Sequence, residues 1–416
     1  LEGFVDTLQP FAVRMPEAEF VTIEMFGGDN NLSPFVTEDL KEMAAGLGGK
    51  CTVIALADFA GKPSAVLEVT PAAGIQLVEE EGEIDTGDPE ILKNFVARAL
   101  ITYPRARKAI GFWDHGTGVF DETDNTEKLL TRQVYSVVRS ERSRSFPARR
   151  LFFPKSKLKA EPATRAMLHD DTNGGVLTNL EAARMLAAAF KAAGQTGKVD
   201  LLFSDTCLNG MIEVAEELGP FAHCVVASPE LEPGDGWDYR GWMALVAQQP
   251  PATPAEWAGD AVAAFKRGYE PYPSKYPCTL GAFKTDQQIT AAFAALLQAT
   301  RAGGHEAFFL MDHARARTQD YARRDAYDLR DFALQAEQVF AQSGKPAMAS
   351  AARDLTAAFD AARVECCLLG PTVARSSGLA FWFPSSRSAL NRDMPTYERL
   401  AFSGRSGWGD FLKEFR

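Results

Sequence analysis

The sequence predicts an α/β fold: a mostly parallel central sheet covered by helices on both faces. Three observations lead to it. Short apolar runs rich in β-branched and aromatic residues recur through the first half of the chain and read as buried strands. Segments with helical periodicity alternate with them, and turn residues separate the two kinds. Strands alternating with helices pair in parallel, because each crossover helix returns the chain to the same end of the sheet.

In chain order, the strand Phe20–Phe26 is followed by a helical pattern at about 35–47, then the strand Cys51–Leu56 and a helical pattern at about 89–101. The strand Ala109–Trp113 comes next. A helix at about 178–193 follows, whose start is marked by Thr178 and Glu181 spaced as a capping box. The strand Val199–Ser204, a helix at about 208–218 and the strand Cys224–Ala227 complete the series. Parallel strands of such a sheet end along one edge, where α/β proteins carry their sites.

Two segments depart from this rhythm. Residues 132–165 hold ten Arg or Lys residues against two acids, Glu141 and Glu161. The run Gln248-Gln249-Pro250-Pro251-Ala252-Thr253-Pro254 breaks helical structure and divides the chain into a core over 1–250 and a mainly helical, Ala-rich part over 251–416. Helical patterns there fall at about 255–268, 285–302, 325–342 and 347–363. Cys278–Phe283 and Gly378–Phe383 read as strands that return to the sheet.

Bulk properties exclude several classes. A net charge of −11 argues against nucleic acid and suits a cationic or neutral partner. The basic segment also reads as a solvated insertion or a nucleic-acid arm, and the acidic remainder disfavours the arm. No apolar run reaches the roughly 18 to 20 residues of a membrane span. Six cysteines without a CxxC pair make neither a disulfide scaffold nor a zinc ribbon, and adjacent Cys366 and Cys367 read as packing.

The chemistry concentrates at two strand ends. In Leu201-Leu202-Phe203-Ser204-Asp205-Thr206-Cys207-Leu208-Asn209-Gly210 a strand runs out into a turn that carries Cys207. Apolar residues at Leu208, Met211, Ile212, Ala215 and Leu218 predict a helix starting there, stopped by Gly219-Pro220. Cys207 is therefore expected at a helix N-terminus, where backbone N–H groups favour thiolate and can hold an oxyanion. In Ala109-Ile110-Gly111-Phe112-Trp113-Asp114-His115-Gly116 a second strand delivers His115 to the same edge, with Gly116 permitting close backbone approach. Together they form a candidate nucleophile–base pair. The plain alternatives are a buried structural cysteine and a hydrogen-bonded histidine. His169, His223, His305 and His313 lack this setting.

The DHGTG of Asp114–Gly118 and the SDTCLNG of Ser204–Gly210 resemble the paired signatures of the clostripain family, a branch of the caspase-like cysteine peptidases. The order, histidine before cysteine, is that of this clan. The similarity extends to FGGDNNLS at Phe26–Ser33, to His169-Asp170-Asp171-Thr172, and to Ser228-Pro229-Glu230 through Gly234-Asp235-Gly236-Trp237. It continues in Ser377–Pro384 and in Trp408-Gly409-Asp410-Phe411-Leu412. Asn209 departs from the pattern, since many members carry Met there.

The resemblance implies a caspase-like αβα sandwich and a thiol protease in which Cys207 attacks the peptide carbonyl and His115 protonates the leaving amine. The N–H groups of Gly116 and Cys207 would bind the oxyanion. It implies cleavage after Arg or Lys, with Asp205 and Asp235 as acids of the substrate pocket. Read from the residues alone, Asp205 also fits an N-cap or structural hydrogen bond, and Asp235 a turn. Relatives cut themselves in an activation loop, which corresponds to 132–165, and calcium supports some of them. No EF-hand-like loop is present here, and no metal ligand is assigned. The implied partners are peptide or protein substrates, acted on by an exported monomer that is secreted, periplasmic or cell-surface. A catalytically silent peptide- or protein-binding member is the alternative from another class, and an enzyme acting on another acyl substrate is a third.

Overall fold

A computed structural model describes residues 8–119, 167–271 and 277–415; the basic segment 132–165 lies outside them. The strands are β1 (Phe20–Phe26), β2 (Cys51–Phe59), β3 (Lys62–Thr70), β4 (Gly74–Gly82), β5 (Arg107–Trp113), β6 (Leu168–His169) and β7 (Val176–Leu177). Then come β8 (Val199–Asp205), β9 (Ala222–Ala227), β10 (Cys278–Lys284), β11 (Ala326–Asp328), β12 (Arg363–Leu369) and β13 (Ala380–Trp382). One nine-stranded sheet has the order β12-β10-β9-β8-β5-β1-β2-β3-β4. Its centre, β9-β8-β5-β1-β2, is parallel, and the flanking strands on both sides pair antiparallel.

The apolar runs follow from burial on both faces. All seven residues of β1 are buried. The period of two sends Val21, Ile23 and Met25 into one core and Phe20 and Phe26 into the other. The helices Pro89–Thr102, Asn179–Ala193, Gln288–Ala302, Leu329–Gln342 and Pro346–Ala362 contribute to the first core. Ser33–Gly46, Tyr239–Gln248 and Pro254–Tyr269 contribute to the second, giving three layers. The expected capping box forms: Thr178 and Glu181 bond each other's backbone, and Gly194 ends that helix in the left-handed conformation.

Two expectations are corrected. The helix expected from 208 starts only at Ile212. Its intended first turn has other partners: the Leu208 N–H donates to the Glu230 carbonyl (3.1 Å) and the Gly210 N–H to the Ser228 carbonyl (2.7 Å). Leu208 takes a φ of 67°. The apolar residues that mimicked a helical face are thus buried by tertiary contacts. The second correction concerns Gly378–Phe383. Only Ala380–Trp382 is strand, and it pairs with β11 in a separate two-stranded sheet. Cys278–Lys284 does join the main sheet, followed there by β12. All six cysteines are free, adjacent Cys366 and Cys367 included.

The topology opens a crevice at one edge. From β1 the chain passes to β2 on one side, whereas from β5 the next strand of the main sheet is β8 on the other. Loops leaving β1 and β5 therefore diverge at a switch point.

Candidate active site

β5 and β8 are neighbours in register, with Trp113 opposite Asp205, so the segments that follow them leave the sheet side by side. The Asp114 N–H still donates to the Asp205 carbonyl at 3.3 Å. The two loops then touch through backbone. A Cβ placed on Gly116 would lie 2.1 Å from the Cys207 carbonyl oxygen and 2.7 Å from Thr206 Oγ1. Only glycine fits that approach, which sets the His115 loop directly against the Cys207 loop.

Asp114 shapes the histidine loop from below. Its buried carboxyl accepts the His115 N–H (2.5 Å), the Asn30 side-chain amide (2.8 Å) and the His169 N–H. Burial pushes this carboxyl well above the usual range, against the lowering effect of those donors. His115 is half-buried, and its Nε2 lies 2.8 Å from Oδ1 of exposed Asn31, in the loop after β1. Where that amide oxygen accepts, Nε2 carries the proton, the tautomer in which Nδ1 can act as base.

Cys207 is half-buried, and its Sγ accepts the Glu232 N–H at 3.3 Å. Burial first, then the nearby Glu230 and Asp205 carboxyls, push the thiol up to about 12. The expected helix start lends the thiolate no support, since the helix begins only at Ile212, and burial with acidic neighbours raises the thiol.

Asp205 is buried beneath the nucleophile. Its Oδ2 accepts the Trp237 N–H (3.2 Å) and the Tyr239 hydroxyl (3.0 Å), and it caps no helix. Gly236, at a φ of 63°, passes over it. Asp235 is half-buried on the same loop, one residue before Gly236. The structure thus gathers Cys207, Gly116 and Asp205 at one edge with His115 on the adjoining loop, and Asp235 on the loop that covers them.

Sequence reasoning assigned no role to Asn31, Glu232 or Glu24. Asn31 stands in the FGGDNNLS segment, and Glu24 interrupts an apolar strand, which was a visible signal. For a metal, the carboxyls of buried Asp29 and Asp170 and exposed Glu83 come within 4.8 Å of one another. An all-oxygen set suits calcium or magnesium. Backbone N–H groups of Thr172, Thr86 and Asn173 already occupy part of it.

The clostripain family model, peptidase C11, matches residues 25–134 and 155–415. Among solved structures, a secreted C11 cysteine protease from Bacteroides thetaiotaomicron, bound to an irreversible peptide inhibitor, superposes with a TM-score of 0.63 at 14% identity, covering 94% of this chain and 99% of that one. An inactive zymogen C11 protease from Parabacteroides distasonis superposes with a TM-score of 0.65 at 16% identity, covering 94% and 98%. No curated protein matches. The solved structures share the caspase-like αβα fold with this chain. A family match spanning most of the sequence, on a fold whose two signature loops touch at Gly116, assigns the chain to the clostripain family of cysteine proteases.

Proposed function

We propose that the protein is an endopeptidase that cuts after Arg or Lys, with Cys207 as nucleophile and His115 as its acid–base partner. The contact that supports this reading is the backbone approach of Gly116 to Cys207, which puts a nucleophile and a base on touching loops. His115 Nδ1 takes the thiol proton as Sγ attacks the peptide carbonyl carbon. The N–H groups of Gly116 and Cys207 receive the oxyanion. His115 then gives its proton to the leaving amine, and water cleaves the thioester. Because burial raises the Cys207 thiol, transfer of its proton to His115 accompanies attack in this reading.

Asp205 and Asp235 are the acids proposed to meet the basic side chain, and a cation beside Asp205 would offset the part of the upward push on Cys207 that comes from that carboxyl, burial being the larger cause. Cleavage within 132–165 separates a histidine-bearing piece from a cysteine-bearing one. Asp29, Glu83 and Asp170 would hold calcium, whose role there is to fix the loop after β1. The exported monomer suggested by the family resemblance remains part of this proposal.

The test incubates the purified chain and its Cys207→Ala variant with fluorogenic peptides ending in Arg, Lys, Asp or Leu, with and without a chelator, while a gel follows the chain itself. Turnover of Arg or Lys peptides by the unmodified chain alone supports the reading. Burial of the Cys207 thiol, which raises it, favours one second reading, a silent peptide-binding member. Inertness of both forms on every peptide selects it.

A further inference from the structure

We propose that Arg323 is a positioning residue for catalysis: it grips the His115 loop by the Thr117 carbonyl and so sets where the base stands against Cys207. This rests on the nucleophile–base pair proposed above and adds to it the part of the chain that keeps the pair aligned.

Arg323 lies between the helix His305–Arg315 and β11, far in sequence from both signature loops. It is buried, and its guanidinium donates to the carbonyl of Thr117, two residues after His115. A cationic donor on a backbone carbonyl is among the stronger hydrogen bonds of a protein. The stem of the arginine packs on the next residue. A Cβ placed on Gly118 would fall 3.0 Å from Arg323 Cδ and 2.9 Å from the Leu208 carbonyl oxygen. Gly118 takes a φ of 75°, so glycine serves there both the turn and the close approach.

The neighbouring residue reaches the other loop. The Ala322 N–H donates to Glu230 Oε2 at 2.9 Å, and the carbonyl of buried Glu230 accepts the Leu208 N–H at 3.1 Å. Leu208 follows Cys207 directly. Two consecutive residues of one turn therefore hold the His115 loop and, through Glu230, the Cys207 loop.

The turn is itself firmly mounted. The Tyr321 N–H donates to the Ala326 carbonyl (3.1 Å), and the Ala326 N–H returns to the Arg323 carbonyl (3.3 Å). Asp325 takes a left-handed φ of 60°. Its carbonyl accepts the Phe383 N–H (2.9 Å) and its Oδ1 the Ser385 N–H (3.0 Å). The Tyr321 hydroxyl donates to Asp328 Oδ2 at 2.7 Å. Such backbone at a residue other than glycine persists where its surroundings over-determine it. A rigid mount is what positioning requires, since a misplacement of about 1 Å costs roughly 10²-fold in rate.

The experiment measures how fast iodoacetamide alkylates Cys207, mapped by mass spectrometry, in the unmodified chain, Arg323→Met, His115→Ala and the double variant, with a thermal melt of each. Methionine keeps an unbranched stem beside Gly118 and removes the donor. Arg323→Met is expected to slow alkylation by about tenfold when His115 is present, and by less than about twofold in the His115→Ala background, because the contact acts through the histidine. Peptide turnover should show the loss in kcat, with KM little changed. Equal slowing in both backgrounds makes Arg323 a support of the fold alone and overturns the proposal; so does an Arg323→Met chain that is not slowed. Where Arg323→Met does not fold, Arg323→Lys takes its place, keeping a cationic donor without the guanidinium fork. It is expected to slow alkylation less than tenfold, and only with His115 present; no slowing, or equal slowing in both backgrounds, overturns the proposal. His115→Ala that reacts as fast as the unmodified chain defeats the nucleophile–base pair itself, and this inference with it.

Discussion

Gly116→Ala is the substitution whose consequence the geometry fixes most tightly. The added methyl would sit 2.1 Å from the Cys207 carbonyl oxygen, 2.7 Å from Thr206 Oγ1 and 2.8 Å from Thr206 Cβ. Ordinary contact begins at 3.4 Å, so the loops must part by more than an ångström. The oxygen belongs to backbone and cannot rotate away as a side chain could. The Cys207 loop is also pinned from behind, by the bonds of Leu208 and Gly210 to Glu230 and Ser228. The His115 loop must therefore move, carrying with it the base and one proposed oxyanion donor. A misplacement of about 1 Å costs roughly 10²-fold in rate. Overpacking of this kind also destabilises by about 1–3 kcal/mol. The assay is kcat/KM on the best fluorogenic peptide, beside a thermal melt. Gly404→Ala is the control, because nothing lies within 4 Å of that position and its activity should match the unmodified chain. Activity of Gly116→Ala within about twofold of the unmodified chain would refute the claim that the two loops meet at this residue.

Two further outcomes follow from single side chains. Asn31→Ala removes the acceptor that holds His115 Nε2, and kcat should fall by about an order of magnitude with KM little changed; an unchanged kcat means the histidine is oriented by other contacts. Glu24 has a folded-state pKa above its ordinary value, so the folded protein keeps a proton that the unfolded chain loses. Stability is therefore lost as pH climbs above the ordinary glutamate range, until Glu24 itself ionises. Glu24→Gln removes that loss. Its melting temperature should exceed that of the unmodified chain more at pH 9 than at pH 6, and a constant difference contradicts the assignment.

What the sequence revealed and what it hid have physical reasons. β1 spans Phe20–Phe26 as expected, because a central parallel strand is buried on both faces and announces itself as an apolar run. His115 and Cys207 were legible for the same reason: each follows such a run. β12 was missed because it lies at the sheet edge, where buried Cys367 alternates with more exposed neighbours and no apolar run forms. The loop after Cys207 was misread as helix because Leu208, Met211 and Ile212 have helical spacing. The N–H groups of Leu208 and Gly210 are claimed instead by the loop after β9, and the Gly210 carbonyl by Ala380, far away in sequence. Glu232 and Glu24 were illegible as site residues for a related reason. One acquires meaning only when its loop folds over Asp205, the other only because Gly111 on the next strand leaves room for it.

The central claim is that Cys207 is the nucleophile and His115 its partner, and covalent trapping tests it most directly. The chain is treated with a peptidyl arginine acyloxymethyl ketone, digested, and mapped by mass spectrometry across all six cysteines. The account predicts one adduct, on Cys207, absent in Cys207→Ala and strongly slowed in His115→Ala. An adduct on any of the other five cysteines, or labelling of Cys207 that ignores the loss of His115, contradicts it.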